Sequence, residues 1–467
     1  MLTTNTGRHN RQLWPLALFI LTLFALGMRW YYVSTALVLG PVRGDAMQYV
    51  AYAWNLMTHH TFAKDLAGST TITPDNYRDP GYPFFLALTM KGFGTGDAWY
   101  VTVLLCQALL GALTVMLVTQ LGKCWLSSRW AFCAGILMAV WPHSIAINGY
   151  LLTETLFGFL CALGLFFFVL ACRRESTYFG LIAGITLGAA ALTNAVLLPF
   201  GIFLAGFLAW RKLASRALCI ALIAGALLLP GAWAIRNTQL PKISSSSSLG
   251  RAMENFAQGA SPDFHAAYRD LFYGGAISAK AKAKASITIH AVDTDYALLR
   301  ASPFEGVKAF WQKIEKQPWR YALWYLFEKP YELWSWDIAA WQRDIYVYPT
   351  TNSPFMTNRG WMALEAACQA LNLPLLLMSA ASLIFAWSQD NFKKFLSEKP
   401  GSRTALISVF LLSIFITMVY SLLQAEPRYS IPFRPFEILL AFTSFVAAHH
   451  FWSMRNRLAD QTPLISP

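Results

Sequence analysis

The chain has 467 residues, of which 56% are hydrophobic and 13% charged, where an ordinary soluble domain carries about 25% charged residues. A soluble globular enzyme is excluded, and so is a disordered or nucleic-acid-binding chain, because the net charge of +13 is spread among long apolar runs and not gathered in a basic tail or stripe. The unit to count is therefore the apolar stretch of about 20 residues that spans a bilayer.

In chain order, the first run is Leu13 to Met28, preceded by Arg8 and Arg11 and continuing towards Gly40. It is too long for a secretory apolar region and has no small-residue cleavage site, so it reads as a retained helix. Further runs cover Trp99 to Leu121, Trp130 to Ile147, Tyr150 to Ala171, Phe179 to Leu192, Ala195 to Trp210, Ala217 to Ile235, Trp361 to Trp387, Ala405 to Leu423 and Ile431 to Trp452. The expectation is an all-α polytopic membrane protein with about ten spans. The joint at Thr193 and Asn194 is a polar kink.

Short-loop cations give the orientation. Arg8 and Arg11, Lys123 and Arg129, Arg173 and Arg174, Arg211 to Arg216, Lys393 to Arg403, and Arg455 and Arg457 fall on alternate sides of the spans. This predicts that these clusters and both termini face the cytoplasm. The long segments Pro41 to Ala98 and Arg236 to Gly360 then face outward. The division expected is an N-terminal membrane module (1–235) whose first outer loop (41–98) carries the site, an extracytoplasmic subdomain (236–360) and a C-terminal membrane module (361–467). The subdomain begins with the serine run Ser244 to Ser248 and a basic stretch at Lys280, Lys282 and Lys284; its aromatic end, Trp319 to Trp341, suits the bilayer interface. The seven cysteines lie in spans or at their cytoplasmic ends, so no disulfide framework supports the outer segments. No CxxC, HExxH, glycine-rich phosphate loop or GxSxG is present, nor a fixed-period or inverted repeat.

The polar residues near the bilayer carry the chemistry. Met47, Val50, Trp54 and Met57 recur at helical spacing, which predicts a short interfacial helix opening at Asp45. Asp45 and Gln48 have the spacing of a capping box, and Asp45 also suits a general base fixed above the bilayer surface. Pro80, Gly81 and Pro83 force a turn after Arg78 and Asp79, which read either as a solvated ion pair or, for Arg78, as paired donors for a lipid-linked phosphate. Glu154 opens a span where the helix dipole favours a carboxylate, and an ionisable group so placed is also a site candidate. Arg29, inside the first span, should snorkel outward or line a wet cavity. Arg428 puts another cation at the outer mouth of the bundle.

The pattern resembles the GT-C glycosyltransferases that use a polyprenyl-phosphate sugar, within the branch of the protein O-mannosyltransferases and the lipid A aminoarabinose transferase. The resemblance rests on Arg29, Gly44-Asp45-Ala46-x-x-Tyr49, Arg78-Asp79-Pro80-Gly81-Tyr82-Pro83, Thr153-Glu154, Trp233 with Arg236-Asn237, and Arg428-Tyr429-x-x-Pro432, in that order along nearly the whole chain. It implies a GT-C-like bundle with interfacial helices and a small outer subdomain. It makes Asp45 the base, sets Arg78, Arg428, Tyr429 and Arg29 towards donor phosphate, and associates Glu154 and Tyr82 with the acceptor or, as in some relatives, a divalent cation. The chain departs from the family at Asn194, where relatives often have Arg. The implied partners are a polyprenyl-phosphate sugar donor, membrane lipid and a glycan, glycolipid or protein acceptor, and the implied reaction is transfer with inversion. A transporter or flippase of a lipid-linked or anionic substrate would also use Arg29 and Arg428, but the one-sided outer segment and the lack of repeats weigh against it. In a scaffolding protein the outer-face ionisable groups would be coincidental.

Overall fold

The computed structural model describes residues 5–240, 247–272, 278–338, 342–388 and 402–460. Lys393, Lys394 and Lys399, Trp341 and most of the serine run lie outside these residues. Nearly every element is helical; the strands are a two-residue pair, in which Leu37 faces Thr351 and Val38 faces Thr350. The pair ties the end of the first span to the segment that precedes the Arg359–Ser388 helix.

All ten apolar runs fold as helix, but they are not ten equal spans. Among the described residues, seven helices are long and apolar enough to cross a membrane: Leu13–Thr35, Asp97–Gly122, Glu154–Arg174, Arg216–Thr238, Arg359–Ser382, Ser402–Leu422 and Pro427–His449. An eighth is counted if Ser128–Val140 and Pro142–Gly149, bent by 59° at their break, form one span. The break follows from Pro142, which pushes Trp141 out of the helical region to φ −65°, ψ 118°. The runs around the predicted kink are shorter helices, Thr177–Thr193 and Ala195–Trp210. Asn194 leaves helical geometry at φ −149°, ψ 113°, and its side chain accepts from the Val196 amide.

Among the described residues, the Pro427–His449 span is the most central, with 83% of its apolar window buried, and Leu13–Thr35 and Arg359–Ser382 are the most peripheral, with 22% each. The Thr177–Thr193 and Arg216–Thr238 helices approach through glycines. A Cβ on Gly184 would lie 2.3 Å from the Leu222 carbonyl oxygen, and one on Gly225 would lie 2.4 Å from that of Leu181. Close backbone approach through small residues is the usual contact between helices in lipid, where apolar burial gives no advantage.

Helix directions separate the two ends of the bundle. Lys123 and Arg129, Arg173 and Arg174, and Arg211 and Arg216 cluster at helix termini on one end. The connections around residues 36–96, 147–153, 194, 247–272, 278–338, 342–358 and 423–426 lie at the other. There, the predicted interfacial helix is Asp45–His59, followed by a loop and the Gly81–Phe93 helix. The 236–360 segment is more helical than its serine and lysine runs suggested: Ser248–Ala260, Phe264–Phe272, Ala279–Ala301 and Pro303–Lys316 pack partly around Phe264, Val292 and Leu299. Its aromatic end divides. Trp324, Trp334 and Trp336 are buried, while Trp319, Leu323, Leu326, Phe327 and Tyr331 are exposed.

Candidate active site

Asp45 is the first residue of its helix, but it does not cap it. The N-cap is Gly44, at φ 52° and ψ −125°, and no side chain bonds the free amides. Positive φ favours glycine here, and a Cβ would also sit 3.3 Å from the Tyr348 hydroxyl. The capping-box reading is therefore overturned, because Gln48 also turns elsewhere and its Oε1 accepts from Arg78 Nε at 2.6 Å.

The Asp45 carboxylate bridges two arginines. Arg78 Nη2 donates to Oδ1 at 2.6 Å and Arg428 Nη1 to Oδ2 at 3.0 Å. Arg428 Nε in turn donates to Glu154 Oε1, completing a chain Arg78–Asp45–Arg428–Glu154. Within it, Asp45 is the most open side chain at 32% exposure, and Glu154 the least at 5%. Burial opposes ionisation of Asp45, but the two guanidiniums outweigh it and hold the carboxyl well below the usual carboxylate range. The Arg78 guanidinium also lies over the Tyr49 ring, 5.2 Å from its centre.

A second ion pair fixes the loop that carries Arg78. Asp79 does not pair with its neighbour; its Oδ2 accepts from Arg251 Nη2 at 2.8 Å and from the Ala195 amide at 3.2 Å. These bonds join the loop to the kink between the two short helices and to the Ser248–Ala260 helix. Gly81 allows that approach, since a Cβ would meet Thr193 Oγ1 at 2.5 Å. The Asn194 side chain donates to the Tyr420 hydroxyl at 3.1 Å, and Tyr420 stacks on Tyr429 with ring centres 5.0 Å apart. Together these groups enclose a cavity of about 380 Å³.

Four of the sequence-predicted site residues, Asp45, Arg78, Glu154 and Arg428, thus meet, and Tyr429 lines the same cavity. Two do not join them. Arg29 neither snorkels nor lines this cavity. It is buried in the bundle, where Nη1 donates to the Ala25 and Ala139 carbonyls at 3.1 Å, and it lines a separate cavity of about 30 Å³ with Asn148 and Glu154. Tyr82 is fully buried, packs edge-on against Tyr49 and donates to Gln107 Oε1 at 2.8 Å. Arg236 also serves elsewhere, donating to the Asp75 carbonyl at 2.8 Å. Asp79, Arg251 and Glu254 line the cavity without having been singled out as site residues. Arg251 lies on an amphipathic helix, where a cation gives no local signal. Among the described residues no three His, Cys, Asp or Glu side chains converge as metal ligands. Asp45 and Glu154 both bond Arg428.

The chain has likenesses to known proteins in sequence and in fold. Residues 77–233 match the family described as dolichyl-phosphate-mannose-protein mannosyltransferase. The oligosaccharyltransferase of Archaeoglobus fulgidus aligns in its apo form at a TM-score of 0.50 and 15% identity, over 95% of this chain and 52% of that one. The match to the family model covers about a third of the chain, and the likeness to the oligosaccharyltransferase is one of fold. In complex with Zn and sulfate, the same oligosaccharyltransferase gives 0.50 and 14%, over 96% and 52%. ArnT from Cupriavidus metallidurans, bound to undecaprenyl phosphate, gives 0.34 and 14%, over 95% and 78%. The chain thus spans about half the length of the oligosaccharyltransferase it matches. No curated protein matches it in sequence.

Glu426 gives the site a pH signature. Burial, together with the charges of Asp45 and Glu154, pushes its carboxyl up to about 7 against the pull of Arg428. Its ordinary value is 4.5. Between those values the folded chain keeps a proton that the unfolded chain has released, so this contribution to stability is complete below about pH 4.5 and is lost as pH rises through about 7. The unfolding midpoint of the purified protein should fall between pH 5 and pH 7.5, and fall less in Glu426→Gln. Equal slopes would contradict this assignment.

Proposed function

We propose that the chain is an integral membrane glycosyltransferase that moves a sugar from a polyprenyl-phosphate donor to an acceptor hydroxyl at the extracytoplasmic face. The observation that carries this reading is the Asp45 carboxylate held between Arg78 and Arg428 in a cavity at one end of an apolar bundle. A lipid-linked donor has its reacting carbon at the bilayer surface and its tail in lipid, so the chemistry belongs at a bundle end. The family description, which names a dolichyl-phosphate sugar, supports the donor class.

The mechanism follows from the bonding. Guanidiniums bind phosphate through paired donors, so the donor phosphate competes with Asp45 for Arg78 and Arg428. Once released, Asp45 regains basicity and accepts the proton of the acceptor hydroxyl. The acceptor oxygen bonds to the anomeric carbon as the bond from that carbon to the phosphate oxygen breaks, and polyprenyl phosphate departs with the electron pair. The single displacement inverts the sugar carbon. Charge growing on the phosphate is stabilised by guanidiniums already oriented, Arg428 by its bond to Glu154 and Arg78 by its bond to Gln48.

Incubation of the purified protein with a labelled polyprenyl-phosphate sugar should give transfer or slow hydrolysis. Asn keeps the shape of Asp45 but cannot take the proton, so Asp45→Asn should lower the rate by at least about 10²-fold. Parental turnover in that variant would remove the base from this residue.

The orientation rests on the basic clusters at the opposite end of the bundle, which the positive-inside rule assigns to the cytoplasm together with both termini. In a variant with its seven cysteines replaced, a membrane-impermeant thiol reagent added from outside should label Ala283→Cys and leave Glu175→Cys unlabelled. The reverse pattern would put the site in the cytoplasm.

A further inference from the structure

Asp45 and Arg428 have cavities on two sides. Beyond the cavity that holds Arg78 and Arg251 lies a second, of about 290 Å³, and the two share Asp45, Gln424, Arg428 and Tyr429. Their remaining walls differ in kind. The first adds Arg78 and Arg251, paired donors suited to phosphate. The second adds the aromatic faces of Phe264, Tyr268 and Tyr348 and the polar groups of Gln258, His265, Arg269 and Glu426.

We propose that this second cavity is the acceptor subsite and that it takes a saccharide, whose hydroxyl reaches Asp45 from the side opposite the donor phosphate. The proposal rests on the transferase reading and adds to it the class of acceptor. A sugar ring has apolar C–H faces that pack on aromatic rings and hydroxyls that both donate and accept. The wall offers matching surfaces. Phe264 and Tyr268 lie 5.5 Å apart, and Tyr268 continues to Phe272 at 4.7 Å, forming an aromatic strip with 38% of Tyr268 exposed. Gln258 and Gln424 each carry a donor and an acceptor side by side, and His265, which burial keeps uncharged with its pKa pushed down to about 4, has one ring nitrogen of each kind and a bond to the Ala425 backbone. The volume is at the small end of ligand sites, the scale of a sugar ring. Residues 258 and 264–269 belong to the helices Ser248–Ala260 and Phe264–Phe272, whose backbone groups are spent within the helices, so they give an extended peptide no strand edge to pair with.

The test uses the full chain in lipid nanodiscs and methyl glycosides that carry a diazirine, with unmodified methyl glycosides as competitors. Irradiation should attach the probe to peptides spanning 258–272, competition should suppress it, and Tyr268→Ala and Gln258→Ala should each lower the yield at least tenfold. Tyr268→Phe, which keeps the ring, should retain labelling. Polyprenyl phosphate should bind the two alanine variants within twofold of the parent. Labelling elsewhere, or undiminished labelling in both alanine variants, would overturn the proposal. So would a diazirine-bearing Ser/Thr peptide that labels 258–272 when the glycosides do not. If the glycosides label this wall but polyprenyl phosphate fails to bind the parent, the saccharide site stands and the transferase reading falls.

Discussion

A guanidinium withdrawn from water into the end of an apolar bundle costs several kcal/mol unless carboxylates surround it, and Arg428, with 11% of its side chain exposed, is in that position. Its two partners come from far away in the chain, Glu154 at 274 residues and Asp45 at 383. Satisfying this one side chain therefore requires the first loop, the fourth apolar run and the last span to meet at the same end of the bundle. Other local features serve the same requirement. Gly44 allows the chain to enter the 45–59 helix without a cap that would occupy Asp45, and Gly81 lets the Arg78 loop reach the 193–195 kink. Asp79 is drawn to Arg251 and the Ala195 amide, which leaves Arg78 to Asp45 and Gln48.

The network that stabilises the unliganded site also restrains it. With both oxygens bonded to arginines, Asp45 is a poor base until something else satisfies those arginines. A phosphate can do so, and the carboxylate would then gain basicity when the leaving group is in place. Premature attack by water would be suppressed by the same bonds. Glu154 bonds Arg428 through Nε and not through an outer nitrogen, so that pair can hold the guanidinium in orientation while Nη1 exchanges Asp45 for a phosphate.

Much of this was legible in the sequence where chemistry and position coincided. Asp45, Arg78, Glu154 and Arg428 each stand at the edge of an apolar run, where an ionisable group is costly, and motif order links them along the chain. Burial separates two of the predicted residues from the main cavity. The spacing of Arg29 and Tyr82 is that of site residues, but their side chains turn into the bundle and find a carbonyl pair and Gln107. The Asp45 and Gln48 spacing fits a capping box, and only the arrival of Arg78 from 33 residues away redirects it. The pair of Asp79 and Arg251 spans 172 residues, and no local pattern reports a contact of that range. Ten apolar runs predict about ten spans, and Pro142 and Asn194 break or shorten three of them, because hydropathy counts residues and does not register a lost helical turn.

The competition between Asp45 and a phosphate for the same two guanidiniums is the central claim, and the affinity of Asp45→Asn for a polyprenyl phosphate tests it most directly. Neutralising Asp45 frees Arg78 and Arg428 from a charge-assisted bond of about 1.5–3 kcal/mol, so the variant should bind polyprenyl phosphate about tenfold or more tightly than the parent. Binding that is equal to or weaker than that of the parent would contradict the account, because it would mean that the arginines are not contested and that Asp45 does not hold them.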